Sequence, residues 1–416
     1  MTATATGVRA LSVETIPLDD VRQLIPFLDA HRPLLWLRKG EGIAGVGEAL
    51  RLEFSGPNRI ADAAAAWNEL QAASDVLDPI ALPGTGLIAF GAFAFAAQSD
   101  STSVLIVPQT IIGRRNGRSW ITRVRASENG SAYAPVPQPT PFGAEYRLTM
   151  LPGTLSPAGY TDAVRAALSR IEAGAIDKVV LARDVRAHLP LESDVRRALV
   201  ELALGYPDCW TYAVDGLLGS SPETLVHVHR GAVDARVLAG TISRGPDAAS
   251  DHEAAVALAT SPKDLEEHDF AVRSVLDALA PHTATLTTSE MPFTLKLPNL
   301  WHLATDVAGR LIDGSSALDL VAALHPTAAV AGSPTNAALA LIDELEPFDR
   351  GRYAGPVGWI GADGDGEWAI ALRGAQLQAN GDITAYAGCG IVAGSDPERE
   401  LAETKMKFRP VKEAFG

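Results

Sequence analysis

Helices alternate with strands through the second half of the chain, and several of these strands follow one another as hairpins. Ser156 and Pro157 are typical of a helix start, and the apolar residues that follow recur at helical spacing until Gly174. A strand is expected at 177–188, two more within 357–375 are joined by a tight turn, and another is expected at 382–386. Because few strand–helix–strand units are visible, this order predicts the α+β class.

The first part of the chain, residues 1–145, reads as strands and turns with one helix at about 60–74. Residues 84–95 resemble a buried strand that is interrupted by glycines. The stretch 127–142 is rich in proline, together with serine and glycine, and is typical of a long loop. We take this loop as the candidate internal boundary of a chain that forms one domain over 1–416.

The composition excludes several classes of protein. The formal net charge of −15 argues against non-specific nucleic-acid binding, which requires a basic surface. The longest apolar stretch, 86–97, is shorter than the roughly 20 residues that span a bilayer. The N-terminus lacks the basic and apolar regions of a signal peptide, and two cysteines are too few for a disulfide framework. We therefore expect a cytoplasmic globular protein without nucleic-acid or membrane partners.

The last predicted helix, 397–415, carries four chemically active side chains on one face. Glu400, Glu403, Thr404 and Lys407 follow one another at i, i+3, i+4 and i+7. Taken alone, this spacing is more typical of a solvated face with a salt bridge. It also suits a site for a hard cation, since Mg²⁺ prefers one or two carboxylates and leaves room for water and an anionic ligand.

Three other residues could carry chemistry if the fold buried them. Lys178 opens a predicted strand, Glu223 follows a serine–proline turn, and Glu267 lies in a predicted helix. An exposed strand end, a turn residue and a surface acidic cluster are the more common explanations for such positions. If Lys178 faced an apolar pocket, desolvation would lower its pKa and make it a candidate base.

Ten short motifs follow one another along the chain: KVVLAR at 178–183, SPE at 221–223, LAGT at 238–241, KDLEEH at 263–268, LWHLAT at 300–305, LHPT at 324–327, PFDR at 347–350, GPVGW at 355–359, GCGIV at 388–392 and ELAET at 400–404. Motifs in this order resemble the chorismate-utilising family, which includes isochorismate, salicylate, anthranilate and aminodeoxychorismate synthases. The resemblance covers 155–416 strongly, whereas 1–145 match less well. It implies one large domain of two related halves with antiparallel sheets, and an active site between them.

The resemblance also implies the substrate, the cofactor and the roles of individual residues. Chorismate would be the substrate and Mg²⁺ the cofactor. Lys178 matches the general base that activates water, and Glu223 matches the general acid that protonates the departing hydroxyl. The matched metal ligands are Glu267 and Glu403, with Glu400 nearby. The matched substrate-binding positions are Gly240, Thr241, His302, Arg373, Gly388 and Lys407.

Three positions indicate the branch of the family. Lysine at 178 is absent from the members that use ammonia, and Ala239 stands where aminodeoxychorismate synthases often carry lysine. The sequence FAVRSV at 270–275 differs from the run typical of salicylate and anthranilate synthases. The chain is therefore most similar to isochorismate synthases, which implies an isomerase that needs no glutaminase subunit and is expected to be a monomer. The alternatives are a salicylate synthase and a catalytically silent relative that binds chorismate.

Three residues depart from the family pattern inside matched motifs. Leu265 and Glu266 replace the more polar or basic neighbours expected beside Glu267, and the third departure is Cys389. Cys389 lies between Gly388 and Gly390, where alanine is common in similar sequences. The substitution removes none of the proposed catalytic groups, but we expect it to alter the packing of the pocket.

Overall fold

The computed structural model describes residues 10–127 and 132–416. Two segments lie outside the described residues. They are residues 1–9, where no signal peptide was predicted, and residues 128–131 of the proline-rich stretch. The helices are α1 (Arg59–Ala73), α2 (Pro157–Glu172), α3 (Arg196–Gly205), α4 (Ala248–Thr260), α5 (Pro262–Leu279), α6 (Ala317–Leu324), α7 (Thr335–Leu345), α8 (Pro397–Lys407) and α9 (Arg409–Phe415).

The strands are distributed along the whole described chain. They are β1 (Leu11–Leu18), β2 (Leu34–Arg38), β3 (Glu41–Val46), β4 (Leu50–Phe54), β5 (Asp75–Leu77), β6 (Ile88–Ala92), β7 (Ser103–Val107), β8 (Thr110–Arg115), β9 (Arg118–Ala126), β10 (Leu151–Pro152), β11 (Lys178–His188), β12 (Trp210–Val214), β13 (Leu217–Ser221), β14 (Thr224–His229), β15 (Ala232–Ser243), β16 (Thr283–Thr288), β17 (Phe293–Lys296), β18 (Leu300–Leu311), β19 (Gly332–Ser333), β20 (Pro356–Gly361), β21 (Gly366–Ile370), β22 (Gly374–Leu377) and β23 (Asp382–Ile391).

These strands form two sheets, which we call the large sheet and the small sheet. The large sheet has 13 strands in the order β10-β11-β23-β22-β13-β12-β2-β3-β8-β9-β1-β5, with β19 beside β11. The small sheet has 10 strands in the order β16-β18-β15-β14-β21-β20-β6-β7-β4, with β17 beside β18. Neighbouring strands are antiparallel except β1 and β5. The predicted α+β class with antiparallel sheets is confirmed.

Both sheets contain strands from before and after the proline-rich stretch. In the large sheet β2 pairs with β12, so that Leu37 lies opposite Thr211. In the small sheet β6 pairs with β20, so that Phe90 lies opposite Trp359. Each sheet therefore depends on pairing between strands that are far apart in sequence. The division of the domain into 1–145 and 155–416 stays a prediction.

The two sheets pack against each other through large aromatic side chains. Trp36 of the large sheet and Phe90 and Trp368 of the small sheet are completely buried in one hydrophobic cluster. The Trp36 indole donates a hydrogen bond of 2.8 Å to Glu367 of the small sheet. Burial of each such side chain contributes about 1.5–3 kcal/mol, so this cluster holds the two sheets at a defined separation.

The structure differs from the predicted elements at two points near the site. We expected one final helix over 397–415, but it is divided at Phe408 into α8 and α9. Pro410 lies in the first turn of α9, and a proline ring cannot continue a helix that already runs through it. The last strand, expected at 382–386, extends to Ile391 because it pairs with β11 along its whole length.

No helix within the described ranges 10–127 and 132–416 combines the length and the low polarity that crossing a lipid bilayer requires.

Candidate active site

A cavity is lined by strands of both sheets and by helices α5 and α8. Eight of the eleven predicted site residues line it: Glu223, Gly240, Thr241, Glu267, His302, Arg373, Gly388 and Lys407. The other three do not line it: Lys178 contacts Glu267 and Glu403 contacts Lys407, which are lining residues, whereas Glu400 is joined to Glu267 through Lys263.

Lys178 lies at the first position of β11 with none of its surface exposed. Its ammonium donates a hydrogen bond of 3.2 Å to the backbone carbonyl of Glu267 and lies 3.7 Å from Oε1 of the same residue. Burial lowers the pKa of Lys178, and the neighbouring carboxylates of Glu267 and Glu223 oppose this shift. The more common explanation for a lysine at a strand start, that the strand end is exposed, is wrong for Lys178.

A glycine makes the close approach of these two side chains feasible. A Cβ atom on Gly390 of β23 would lie 2.1 Å from Oε1 of Glu267 and 2.9 Å from Cε of Lys178. Because both contacts are too short for carbon, any side chain at this position would displace the lysine and the carboxylate.

Glu223 lies in the connection between β13 and β14, with only 5% of its surface exposed. Its backbone N–H donates to the Ser221 hydroxyl, which tightens the predicted turn. Burial raises the pKa of Glu223 to about 8, although Arg373 and Lys178 favour the charged form. At neutral pH this carboxyl is therefore mostly protonated and can donate a proton into the cavity.

Lys263 joins two carboxylates from different helices. Its ammonium lies 3.0 Å from Oε1 of Glu400 on α8 and 3.7 Å from Oε2 of Glu267 on its own helix, α5. Burial raises the pKa of Glu400 to about 7, and the nearby Glu403 carboxylate adds to this shift. The Glu267 and Glu400 carboxylates therefore face each other across one cation.

Lys407 forms the second ion pair of α8. Its ammonium lies 2.5 Å from Oε1 of Glu403 and donates to the Gly388 carbonyl at 2.9 Å. Burial opposes ionisation of Glu403, but Lys407 and Lys263 outweigh it and hold the pKa of this carboxyl below its usual range. The predicted solvated face of this helix is wrong, because α8 packs against β23 and α2 and buries Glu400 and Thr404.

Arg373 and His302 form a polar wall on the other side of the cavity. Arg373 Nη2 donates to Nε2 of His302 at 3.1 Å, so the imidazole proton lies on Nδ1. That nitrogen faces the Thr241 hydroxyl at 3.0 Å and the Gly240 carbonyl at 3.3 Å. Burial, with Arg373 adding to it, lowers the pKa of His302 well below its usual range, so this imidazole is neutral.

Unusual backbone conformations bring this wall close to the cavity. Arg373 has a φ of 52°, in the left-handed region that side chains rarely occupy. Gly240 has a φ of 79° and lies at a register shift between β15 and β18. Such strain is retained where the surrounding structure enforces it, commonly at functional sites.

Sequence reasoning assigned no role to three residues that the structure places in the site. Lys263 contacts two of the predicted metal-ligating carboxylates, and Arg350 and Tyr353 line the cavity. The position of Lys263 four residues before Glu267 on one helix was a usable signal, because i and i+4 side chains are neighbours. Arg350 belongs to the PFDR motif at 347–350, which was also a usable signal, whereas Tyr353 lies in a loop outside the motifs.

The carboxylates of this site have the character of a ligand set for a hard divalent cation. Oε2 of Glu400 is buried and has no hydrogen-bond partner within the described part of the chain. Oxygen atoms of Glu400 and Glu403 lie within 4.8 Å of each other, and Glu267 approaches through the shared Lys263. An unpaired buried carboxylate oxygen is costly, and a bound cation would remove that cost.

Comparison with known proteins assigns the chain to a family. A family model described as chorismate binding enzyme matches residues 28–416. The chain belongs to this family of chorismate binding enzymes. The match extends well into the N-terminal part, where the sequence motifs alone indicated a looser resemblance.

Individual relatives of this chorismate binding enzyme agree with that assignment. The isochorismate synthase DhbC of Bacillus subtilis (strain 168) is 39% identical over 286 residues, which cover 66% of this chain and 71% of the relative. The structure of MenF, the menaquinone-specific isochorismate synthase of Escherichia coli, has a TM-score of 0.77 at 25% identity, covering 98% of this chain and 95% of that one.

Another structural neighbour supports the fold alone. Anthranilate synthase component I of Streptococcus pneumoniae TIGR4 has a TM-score of 0.71 at 21% identity, covering 88% of this chain and 90% of the other. The chorismate binding enzyme described here therefore shares its architecture with relatives of more than one named activity.

Proposed function

We propose that this chain is an isochorismate synthase, which converts chorismate to isochorismate by adding water at C2 and releasing the C4 hydroxyl. The observation that carries this proposal is the burial of one amine and one carboxyl group, Lys178 and Glu223, at a cavity whose lining includes the cationic side chains Arg373 and Lys407. The identity to isochorismate synthases supports it.

The two buried groups suit the two proton transfers of this reaction. Water is a poor nucleophile, so Lys178 as a neutral amine takes a proton from the water that forms the new C2–O bond. Hydroxide is a poor leaving group, so Glu223 gives its proton to the C4 oxygen, which departs as water when the C4–O bond breaks. Both ring double bonds shift, so that C1=C2 becomes C1=C6 and C5=C6 becomes C4=C5. Lys178 ends protonated and Glu223 ionised, and proton exchange with solvent restores both.

The cationic side chains of the cavity suit the two carboxylates of chorismate. Arg373 offers a planar guanidinium, which binds a carboxylate through paired hydrogen bonds, and Lys407 offers a compact ammonium. The neutral His302 and the Thr241 hydroxyl complete the polar surface without adding charge. Gly240 and Gly388 also line the cavity, and Gly388 allows β23 to lie close to β11, since a Cβ at this position would lie 2.6 Å from the Leu181 carbonyl oxygen.

We propose Glu267, Glu403 and Glu400 as the residues that hold Mg²⁺. When bound, this ion would neutralise a substrate carboxylate and orient the ring. Glu267 lies on α5, whereas Glu400 and Glu403 lie on α8, and the Lys263 ammonium lies between the Glu267 and Glu400 carboxylates. Lys263 and Lys407 balance the carboxylate charge in the structure described here.

Product analysis by chromatography tests this proposal. Purified protein incubated with chorismate and Mg²⁺ is expected to form isochorismate without pyruvate, and EDTA is expected to stop the reaction. Salicylate together with an equal amount of pyruvate would replace the proposal by a salicylate synthase. Unchanged chorismate would indicate a silent relative, and an aminated product formed with ammonia would overturn the assignment of water as nucleophile.

A further inference from the structure

A thiol lies next to the carboxylates of α8. Cys389 Sγ, one oxygen of Glu400 and one oxygen of Glu403 all lie within 4.8 Å of one another. The Cys389 thiol donates to the backbone carbonyl of Glu400 at 3.4 Å and lies within hydrogen-bonding reach of the Glu403 carboxylate. The proposed reaction uses no thiol, so this residue has no role in it.

The cluster of Cys389, Glu400 and Glu403 also contains a carboxylate oxygen that is available to bind a cation. Lys263 and Lys407 each contact Oε1 of one carboxylate. Oε2 of Glu400 is buried without a partner in the described residues, and Glu400 as a whole is 2% exposed. A buried carboxylate oxygen that no protein group satisfies is an independent indication that something cationic completes this cluster.

We propose that Cys389, Glu400 and Glu403 form a binding site for a thiophilic divalent cation such as Zn²⁺, which competes with magnesium for the two carboxylates. Zn²⁺ is typically held by three protein ligands of the sulfur, nitrogen and oxygen type plus one exchangeable position, whereas Mg²⁺ avoids sulfur. When the metal–sulfur bond forms, the Cys389 thiol releases its proton to solvent, so the bound sulfur is a thiolate.

The position of the thiol predicts where a bound Zn²⁺ would lie relative to the cavity. Gly388 and Gly390 line the cavity, whereas Cys389, between them on β23, does not and contacts α8 instead. A cation bound to sulfur would therefore be drawn away from the cavity while occupying Glu400 and Glu403. The protein would then be inhibited by Zn²⁺ at concentrations well below those at which Mg²⁺ activates it.

Cobalt(II) is the probe for this site, because a sulfur–cobalt bond produces a charge-transfer absorption in the near ultraviolet that oxygen ligands do not give. Titration of metal-free, full-length protein with Co²⁺ is expected to produce this band with one equivalent. The band should be missing in Cys389→Ala and Cys389→Ser. The matched control is Cys209→Ala, which removes the chain's other cysteine, buried among Tyr206, Leu297 and Leu300, and should keep the band.

Zn²⁺ affinity, measured by titration calorimetry on the metal-free proteins, should fall at least about tenfold in Cys389→Ala, since even outer-shell partners contribute that much. Inhibition of the magnesium-dependent reaction by Zn²⁺ should weaken by a similar factor. Absence of the band in the unmodified protein, or its persistence in both Cys389 variants, would overturn the proposal.

The proposed site shares Glu400 and Glu403 with the proposed function, but the cobalt spectrum is recorded without chorismate. A missing band in a protein that forms isochorismate would remove the thiophilic site alone. A normal band in a protein that leaves chorismate unchanged would remove the proposed function alone.

Discussion

The ammonium of Lys178 lies 3.2 Å from the backbone carbonyl oxygen of Glu267 and 3.7 Å from its side-chain Oε1. This contact joins the first residue of β11 to the middle of α5, and Gly390 makes it sterically feasible. The proposed base and a proposed metal ligand are therefore positioned by the same contact. A change at either residue is expected to affect the other.

Replacement of the proposed base should stop catalysis without unfolding the protein. Lys178→Met keeps the length of the side chain and removes the amine, so kcat is expected to fall by about 10²–10⁴-fold, the range attributed to general bases. Chorismate binding, measured by calorimetry, should persist. The matched control is Lys405→Met, an exposed lysine of α8. Near-normal turnover of Lys178→Met would remove the base assignment.

The activity should decline at alkaline pH. Glu223 must be protonated to act as the acid, and burial raises the pKa of this residue to about 8. The plot of kcat/KM against pH is therefore expected to fall above about pH 8, as Glu223 loses its proton. Activity that stays constant well above this pH would contradict the role of Glu223. Glu266→Gln, which alters an exposed carboxylate, should leave the profile unchanged.

Stability should depend on pH through the same residue. Since burial raises the pKa of Glu223 from its ordinary 4.5 to about 8, the folded state disfavours the ionised form. Folding stability from this group is fully present below about pH 4.5 and is lost as pH rises to about 8. Glu223→Gln cannot ionise, so its melting temperature should exceed that of the unmodified protein by a margin that widens over this interval. A constant margin would show that Glu223 is not buried as described.

The proposed metal ligands should be distinguishable from their neighbours by magnesium dependence. Glu267→Gln and Glu403→Gln each remove a negative charge from the proposed ligand set, so the Mg²⁺ concentration for half-maximal activity should rise at least about tenfold. The adjacent Glu266→Gln is the matched control, since Glu266 is exposed on the same helix. Unchanged magnesium dependence in both ligand variants would place the metal elsewhere.

We expect the Lys263 ammonium to compete with Mg²⁺ for the Glu267 and Glu400 carboxylates when no substrate is bound. This ammonium neutralises Glu267 and Glu400, so Lys263→Met would leave both carboxylates without this partner. We expect the variant to melt at a lower temperature without metal, because buried unpaired charge is destabilising. Added Mg²⁺ should stabilise it more than it stabilises the unmodified protein. Equal stabilisation of the two proteins by Mg²⁺, measured by calorimetry, would show that Lys263 does not occupy this position.

The sequence predicted most local elements near the site because their signals are local. Ser156 before Pro157 accepts a hydrogen bond from the helix it caps, and Asp396 caps α8 in the same way. Helical spacing correctly placed Glu400, Glu403 and Lys407 on one face of α8. The short strand β13 was missed, since five residues between two other strands carry little periodic signal.

The helical spacing could not show whether this face of α8 is exposed to solvent or packs against the rest of the protein. Taken one at a time, Lys178, Glu223 and the acidic face of α8 resembled ordinary surface features, and only the order of the motifs indicated otherwise. The structure buries Lys178 and this face of α8 because β11 pairs with β23, which joins residues about 200 positions apart, and because α8 packs on β23.

The sequence by itself thus determined which side chains share a face, where helices begin, and which family the motifs resemble. The tertiary structure decided which faces lie together, and with them the charge state of each group. Lys178 and Glu223 lie in segments that show no unusual composition, and their pKa values are shifted by burial that distant strands and helices supply. Desolvation depends on everything that surrounds a group, so it cannot be read from the residues beside it in the chain.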